Sequence, residues 1–165
     1  MIFLSLYFLY LYAPGVSKPA PDVYLSYEIM NQENYIFMHE MKVRDYECDL
    51  QGIVNNANYQ HYMEHSRHEF LETLGVNFGK LHDDGIDAMV SKITIEYKLP
   101  LRSGDRFVIG INLQRQGPRI VFYQDIFRKS DGKLCTRGVV ETICVENGRL
   151  TRGAIFDEIF KDYIH

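Results

Sequence analysis

The sequence contains no tryptophan and only three cysteines among its 165 residues. These cysteines, Cys48, Cys135 and Cys144, are odd in number, and no two of them form a CxxC pair. A disulfide framework and a zinc ribbon both need paired cysteines, so the spacing argues against either kind of protein. Cysteines that form no disulfides are typical of a compartment where thiols are kept reduced. We therefore predict a cytoplasmic location.

An excess of basic charge is also missing. The chain carries 18 Lys and Arg residues against 22 Asp and Glu residues, which gives a formal net charge of −4. General nucleic-acid binders normally show a basic stripe, so we predict no nucleic-acid partner. Net charge does not resolve local patches, and a small basic pocket for a phosphate is compatible with this balance.

The apolar run at the start of the sequence is too short to cross a membrane as a helix. Residues 1–13 are almost wholly apolar and uncharged, whereas a spanning helix needs about 20 residues. A signal peptide would also need basic residues before its apolar core. We interpret residues 1–33 as an extension outside the fold, with Met30 or Met38 as the natural start; a signal or membrane anchor is the alternative. Residues 34–165 then form one domain, with no stable membrane insertion.

Hydrophobic periodicity predicts a strand, a long helix and four further strands. Tyr35–Tyr46 alternates as a strand does, and Ala57–Leu74 has an apolar helix face that ends at Gly75. The opposite, polar face of this helix contains His61, His65, His68 and Glu72. After a short helical or irregular piece at 76–84, alternation predicts strands at 93–99, 107–113, 120–128 and 134–146, and helical spacing returns at 154–163.

One helix followed by a meander of strands predicts an α+β fold, with an antiparallel sheet packed on the helix. The sheet must curl around the helix to bury its apolar face. Its open edges need cover, and we expect a second subunit to provide that cover and the second half of any site. We therefore predict a homo-oligomer, either a dimer or a dimer of dimers.

The segment Asp45–Arg67 has the residues best suited to chemistry. Asp49 lies three residues before Gly52, and Asn55 and Asn56 then lead into the helix. Asparagine is a common helix N-cap, and the first N–H groups of a helix stabilise negative charge. A carboxylate near such a helix end can activate a nucleophile while the N–H groups stabilise an oxyanion. The simpler alternative for Asp49 is a helix cap or turn residue.

The run Cys48–Val54, followed by Asn58 and Tyr59, resembles the active-site segment of hotdog-fold thioesterases. It is most similar to the 4-hydroxybenzoyl-CoA thioesterase group and to the related acyl-CoA thioesterases linked to the Tol-Pal system. The similarity continues through Tyr62–Arg67 and Ile93–Tyr97. It implies a hotdog fold, in which an antiparallel sheet curls around one long central helix.

The resemblance further implies an acyl-CoA thioesterase that needs neither a cofactor nor a metal. Asp49 matches the catalytic carboxylate, which acts as a nucleophile or as the general base for water. The backbone around Asn56 matches the oxyanion donor, and Gly52 permits a tight turn and a close approach of the substrate. The predicted catalytic residues are therefore Asp49, Gly52 and Asn56, and the predicted substrate contacts are Asn55, Tyr59, Ser91 and Lys92.

One part of the motif departs from this group. Its members usually carry an aromatic residue where this chain has Asn55 and Asn56. The run Val54-Asn55-Asn56 instead matches acyl-acyl carrier protein thioesterases, although Gln51 and Ile53 replace the Asn and His of their pattern. An acyl carrier protein is therefore the alternative carrier, and a non-catalytic module that binds acyl thioesters is a third interpretation. Hotdog dehydratases use a histidine, which residues 49–56 lack.

Other polar residues have simpler explanations than catalysis. Glu64 is expected to pair with Arg67 or with a neighbouring subunit. A solvated polar face explains the helix histidines better than a metal site does. Four cations could meet the phosphates of CoA, but each is more simply a surface residue: Arg102, Arg119, Arg128 and Lys129.

Overall fold

The computed structural model describes residues 34–164, so the extension predicted for residues 1–33 lies outside the described residues. The strands are β1 Phe37–Lys42, β2 Ile86–Tyr97, β3 Arg106–Gln116, β4 Arg119–Arg128, β5 Leu134–Glu146 and β6 Arg149–Leu150. The helices are α1 Asn56–Thr73, α2 Phe78–Asp83 and α3 Ala154–Ile159, and a 3₁₀ turn covers Asp45–Glu47.

A single antiparallel sheet runs in the order β1-β3-β4-β5-β2, and the short β6 pairs with the end of β5. The predicted α+β hotdog fold, an antiparallel sheet curled around one long helix, is confirmed. The predicted meander is correct for β3, β4 and β5 but wrong for β2, which pairs with β5 instead of β3. The reason is the connection of residues 98–105, which has no tight hairpin turn and can therefore cross to the far side of the sheet.

β1 is shorter than predicted because a buried side chain turns the chain. The strand ends at Lys42 instead of continuing to Tyr46. The Arg44 N–H donates to Glu47 Oε2 at 2.6 Å, and the Glu47 N–H donates to the Arg44 carbonyl at 3.1 Å. These two hydrogen bonds close the 3₁₀ turn and direct the following loop toward the start of α1.

β2 is longer than predicted, since it begins at Ile86 and not near Ile93. Most of its residues are exposed, and its register against β5 shifts between Val90 and Lys92. A bulge breaks the two-residue alternation on which the sequence prediction depends. β2 is also an edge strand, with no partner strand on its outer side among residues 34–164.

The apolar face of α1 packs against the sheet, and the polar face is exposed as predicted. Two groups of buried residues form the core along this helix. The Tyr59 cluster lies at its N-terminal half and contains Val43, Val54, Tyr59, Tyr62, Met63, Leu101, Phe107, Ile109, Ile126 and Cys135. The Phe70 cluster lies at its C-terminal half and contains Phe70, Leu71, Ile111, Leu113, Ile120, Phe122, Val140, Cys144, Phe156 and Phe160.

Glycine in β5 lets α1 approach the sheet closely. A Cβ atom on Gly138 would lie 2.4 Å from Met63 Sδ, so any larger residue would push the helix side chain aside. Full burial of a side chain such as that of Met63 contributes roughly 1.5–3 kcal/mol to the stability of the fold. Between residues 34 and 164, none of the helices has the length and hydrophobicity needed to cross a membrane.

Candidate functional site

Asp49 lies on a narrow loop that is closed by backbone hydrogen bonds. The Asp49 N–H donates to the Ile53 carbonyl at 2.9 Å, and the Gly52 N–H donates to the Asp49 carbonyl at 3.0 Å. Gly52 has φ +70°, a left-handed conformation that favours glycine, and a Cβ there would meet nothing within 4 Å. Gly52 therefore serves the shape of the loop and does not relieve a packing clash.

The Asp49 carboxylate is half-buried and accepts a hydrogen bond within its own loop. The Gln51 N–H donates to Asp49 Oδ1 at 2.9 Å. This bond fixes one carboxylate oxygen near the backbone, as in an Asx turn. With its amide nitrogen turned toward the carboxylate, the Gln51 side chain also donates to Asp49 Oδ1 at 2.9 Å and to Oδ2 at 3.1 Å, so both carboxylate oxygens contact Gln51.

A buried carboxylate that the sequence prediction missed, Glu47, attaches this loop to α1. Glu47 is 7% exposed, and its Oε2 accepts a hydrogen bond from the Tyr62 hydroxyl at 2.7 Å. Its carbonyl accepts from the Asn55 N–H at 2.9 Å and from Asn58 Nδ2 at 2.7 Å. Burial and the hydrogen bond to Glu47 raise the pKa of Tyr62, so this hydroxyl stays protonated and donates. Glu47 lies three residues after Arg44, and this spacing matches only the glutamate half of a capping box, in which the later side chain accepts from the earlier N–H.

The N-terminus of α1 faces the same loop. Asn55 is the N-cap, and its side chain accepts from the Ala57 N–H at 3.0 Å. The Asn56 N–H is the first of the helix and has no acceptor among residues 34–164. The Asn56 carbonyl accepts from the Tyr97 hydroxyl at 3.1 Å, which ties this end of the helix to β2. An uncompensated N–H at a helix N-terminus attracts negative charge.

Asp49, Asn56 and Tyr59 meet in one cavity of about 340 Å³. Tyr59 is buried, and its hydroxyl accepts a hydrogen bond from the Leu101 N–H at 3.1 Å. The ring of Tyr59 thus forms a wall of the cavity while its hydroxyl holds the connection between β2 and β3. The other lining residues are Ile53, Val54, Tyr97, Lys98, Leu99 and Pro100.

Sequence reasoning missed the wall that residues 97–100 form. These residues lie more than 40 positions after Asp49 and belong to the crossing connection, so no local motif marks them. Their contact with the cavity depends on β2 pairing with β5, since the Lys98 N–H donates to the Cys135 carbonyl at 2.8 Å. A strand order other than the observed one would have placed them elsewhere.

Four of the predicted site residues do not line this cavity, and one of them is Gly52 of the Asp49 loop. Asn55 caps the helix. Ser91 donates to the Glu141 carbonyl at 3.1 Å, and Lys92 Nζ lies 3.1 Å from the Glu141 carboxylate. Ser91 and Lys92 therefore contact the neighbouring strand β5. Their roles as substrate contacts remain predictions.

The predicted cations and histidines have various partners in the protein. Arg102 Nη1 lies 3.5 Å from the Gly52 carbonyl, next to the Asp49 loop, whereas Arg128 pairs with Asp131 at 2.7 Å. Further ion pairs join Arg119 to Glu141 at 3.6 Å and Lys129 to Glu40 at 2.5 Å. His65 lies 3.7 Å from Glu69, and His68 contacts the ring of Phe78. Within the described range, no three His, Cys, Asp or Glu residues are arranged to hold a metal ion.

Asp49, with its half-buried carboxylate, and Asn56, with its free backbone N–H, therefore line one cavity. Attack on a carbonyl carbon needs both elements, since one activates the nucleophile and the other stabilises the developing oxyanion.

The chain is also similar to known proteins in sequence and in structure. The sequence profile of the Thioesterase-like superfamily matches residues 43–161. The chain is 44% identical over 90 residues to the chloroplastic acyl-acyl carrier protein thioesterase ATL3 of Arabidopsis thaliana, covering 54% of this chain and 47% of that protein. The chain thus spans about half the length of this relative and of a second one, ATL2, of which it covers 48%.

A bacterial relative and a solved structure match over more of their length. The putative acyl-CoA thioesterase YneP of Bacillus subtilis is 30% identical, with 68% of this chain and 81% of that protein covered. The crystal structure of a hypothetical protein from Aquifex aeolicus has a TM-score of 0.69 and 29% identity, and it covers 74% of this chain and 98% of that chain.

Proposed function

Because the chain belongs to the Thioesterase-like superfamily, we propose that it hydrolyses an acyl-CoA thioester to a free acid and CoA. The observation that carries this proposal is that one cavity is lined by both Asp49 and Asn56, whose N–H has no acceptor among residues 34–164. The finer position within the superfamily is also proposed: the spacing from Asp49 to Tyr59 supports the 4-hydroxybenzoyl-CoA and Tol-Pal-associated groups.

In the proposed reaction, Asp49 acts at the thioester carbonyl. As a general base, it takes a proton from a water molecule whose oxygen attacks the carbonyl carbon. As a nucleophile, its own oxygen attacks and gives a mixed anhydride that water then hydrolyses. In both routes the oxyanion accepts a hydrogen bond from the Asn56 N–H, and the C–S bond breaks to release a thiolate. One such oxyanion donor contributes roughly 10²–10³-fold in rate.

The second candidate substrate is an acyl thioester of acyl carrier protein. The identity of 44% to ATL3, a protein named for that carrier, supports it. The run Val54-Asn55-Asn56 supports it too, since it matches the pattern of that group. The two carriers are distinguished by measuring kcat/KM for the same acyl group attached to CoA and to acyl carrier protein. The preferred carrier gives the higher value.

We also propose that the protein is a homodimer that pairs through β2. This edge strand has 12 residues with no partner strand on its outer side among residues 34–164, and it exposes the apolar side chains of Met89 (52%) and Val90 (46%). Long apolar edges are normally covered in native proteins. Residues 97–100 lie at the end of this strand, so a second subunit there would border the Asp49 cavity. A monomer in light scattering at micromolar concentration would contradict this assembly.

The reaction is tested by thiol release from a panel of short, long and aromatic acyl-CoAs. Asp49→Asn keeps the shape of the side chain but removes its basicity, and we expect a loss of roughly 10²–10⁴-fold. Asp45→Asn is the matched control, because Asp45 is an exposed carboxylate four residues earlier that does not line the cavity. Equal rates for Asp49→Asn and wild type on every substrate would sink the catalytic role. Tight binding of acyl-CoA without hydrolysis by wild type would identify a non-catalytic module instead.

A further inference from the structure

Tyr97 is the last residue of β2, and it lines the Asp49 cavity. Its hydroxyl donates a hydrogen bond to the Asn56 carbonyl at 3.1 Å. Asn56 is the first residue of α1, and its own N–H has no acceptor among residues 34–164. One side chain of the sheet therefore contacts the residue whose N–H is the proposed oxyanion donor.

The Tyr97 side chain is itself held by two kinds of contact. Its backbone pairs with Thr136 of β5, and the N–H of the next residue, Lys98, donates to the Cys135 carbonyl at 2.8 Å. Its ring meets the buried ring of Tyr59 edge to face, with 5.4 Å between the ring centroids. A side chain orients a functional group precisely only when its own position is fixed by packing and hydrogen bonds. The strand pairing and the ring contact provide this for Tyr97.

The chain on the other side of Asn56 is held by separate hydrogen bonds. The Asn55 N–H donates to the Glu47 carbonyl at 2.9 Å, and the Asn55 side chain accepts from the Ala57 N–H at 3.0 Å. Only two soft dihedral angles separate the N–H of a residue from its carbonyl. A hydrogen bond from Tyr97 to the Asn56 carbonyl therefore also limits the direction in which the Asn56 N–H points.

This hydrogen bond should matter more for a reaction than for the stability of the fold. Tyr97 is 50% exposed, so water can take the place of either partner when the bond is lost. An oxyanion donor, in contrast, acts through its distance and angle to the oxyanion, and a hydrogen bond weakens steeply as its angle falls toward about 120°. A small rotation of Asn56 thus lowers the rate without unfolding the protein.

We propose that Tyr97 is a positioning residue for thioester hydrolysis: its hydroxyl holds the start of α1 in the orientation in which the Asn56 N–H donates to the oxyanion. This inference rests on the proposed function, and it assigns a role in that reaction to a side chain more than 40 positions away from Asn56 in the sequence. The edge strand β2 thereby contributes to the site through the side chain at its end.

Tyr97→Phe tests this role, because it removes the hydroxyl and keeps the ring. We expect kcat for acyl-CoA hydrolysis to fall about tenfold with little change in KM, since the lost orientation acts in the transition state. Tyr123→Phe is the matched control. The Tyr123 hydroxyl also donates to a side chain, that of Gln114 at 3.3 Å, but Tyr123 does not line the Asp49 cavity. Its loss should leave kcat within about twofold of wild type.

A dithioester analogue, in which sulfur replaces the carbonyl oxygen of the substrate, shows whether the lost rate belongs to the oxyanion donor. Sulfur is a weak hydrogen-bond acceptor, so a well-oriented donor favours the oxygen compound. We expect the ratio of the thioester rate to the dithioester rate to be severalfold smaller in Tyr97→Phe than in wild type. An unchanged ratio would overturn the proposal, since the hydroxyl would then act on another part of the reaction.

The orientation of Asn56 is also measured without any substrate, by NMR of its backbone amide. We expect Tyr97→Phe to shift the Asn56 amide resonance and to lower its order parameter, and we expect Tyr123→Phe to change neither. The same Asn56 amide signal in wild type and Tyr97→Phe would contradict the positioning role. If wild type releases no thiol from any acyl thioester, the proposed function fails and this role fails with it. An active wild type with an equally active Tyr97→Phe overturns the role of Tyr97 alone.

Discussion

The first two turns of α1 are attached to the preceding loop by directed hydrogen bonds, whereas Phe70, in the last turn, is attached by ring packing. At the start of the helix, the Glu47 carboxylate accepts a hydrogen bond from the Tyr62 hydroxyl at 2.7 Å, and the Asn58 side chain donates to the Glu47 carbonyl. In the last turn, the ring of Phe70 lies 5.4 Å from those of Phe37 and Tyr163. Apolar burial supplies much free energy but little direction, while hydrogen bonds fix orientation. One end of the helix therefore positions the site, and the other stabilises the fold.

The largest effect on stability is expected from Phe70→Ala. Phe70 is 1% exposed, and removal of such a ring costs about 3–5 kcal/mol. Urea denaturation measures this loss, and thiol release per folded molecule should stay within about twofold of wild type. Phe78→Ala is the control, because Phe78 is only partly buried and should lose less. A collapse of activity in folded Phe70→Ala protein would remove the distinction between the two ends.

Glu47→Ala should show the opposite balance. It removes a buried acceptor of charged hydrogen bonds, which costs about 1.5–3 kcal/mol, and it frees the loop that carries Asp49. We expect kcat to fall at least about tenfold, because small displacements of a catalytic group are costly, while KM changes little. Glu47→Gln keeps an acceptor for Tyr62 and should restore part of kcat. If Glu47→Ala lost stability but kept the wild-type kcat, Glu47 would be structural only.

Tyr59→Phe should have a smaller effect. The ring is kept, but the buried Leu101 N–H loses its acceptor, at a cost of about 1–3 kcal/mol. Thermal denaturation measures this cost. Tyr97→Phe removes an exposed hydroxyl and should change stability by less than about 0.5 kcal/mol. Equal changes in the two variants would show that the hydrogen bond to Leu101 contributes nothing of its own.

The smallest effect is expected at His39, which stacks on Phe37 beside the Phe70 cluster. Burial, and then the charge of His65, lowers the pKa of His39 in the folded protein. The unfolded chain therefore binds more protons below about pH 6.5, so stability should fall as the pH decreases from there through the lowered pKa. His39→Gln should flatten this part of the stability curve, by less than about 0.5 kcal/mol after solvent screening. A curve of unchanged slope in His39→Gln would assign the pH dependence to other groups.

The parts of the fold and site that sequence predicts well are the local ones. The faces of α1 follow from a period of 3.6 residues, and Asp49, Asn56 and Tyr59 lie within 11 positions of one another. Their meeting in one cavity follows from one turn and one helix start, although their catalytic roles stay predictions. The bulge in β2 hid the start of that strand, because alternation ends where the register shifts.

The parts that sequence did not predict depend on distant pairing. Residues 97–100 reach the cavity only because β2 lies beside β5. Glu64 was expected to pair with Arg67 or with a neighbouring subunit, yet Arg67 is buried and its Nη1 donates to Gln124 of β4 at 2.7 Å. No local sequence pattern predicts a contact between residues 57 positions apart.

The place of β2 in the sheet also affects how the chain folds as it leaves the ribosome. Ile86 pairs with Glu146, 60 positions later, and Tyr97 pairs with Thr136. At a synthesis rate of about 5–20 residues per second, β5 is synthesised several seconds after β2. During this interval Met89 and Val90 have no sheet to join, and slow, non-local pairing of this kind favours aggregation. β2 thus has exposed apolar side chains that need protection during synthesis until β5 is made.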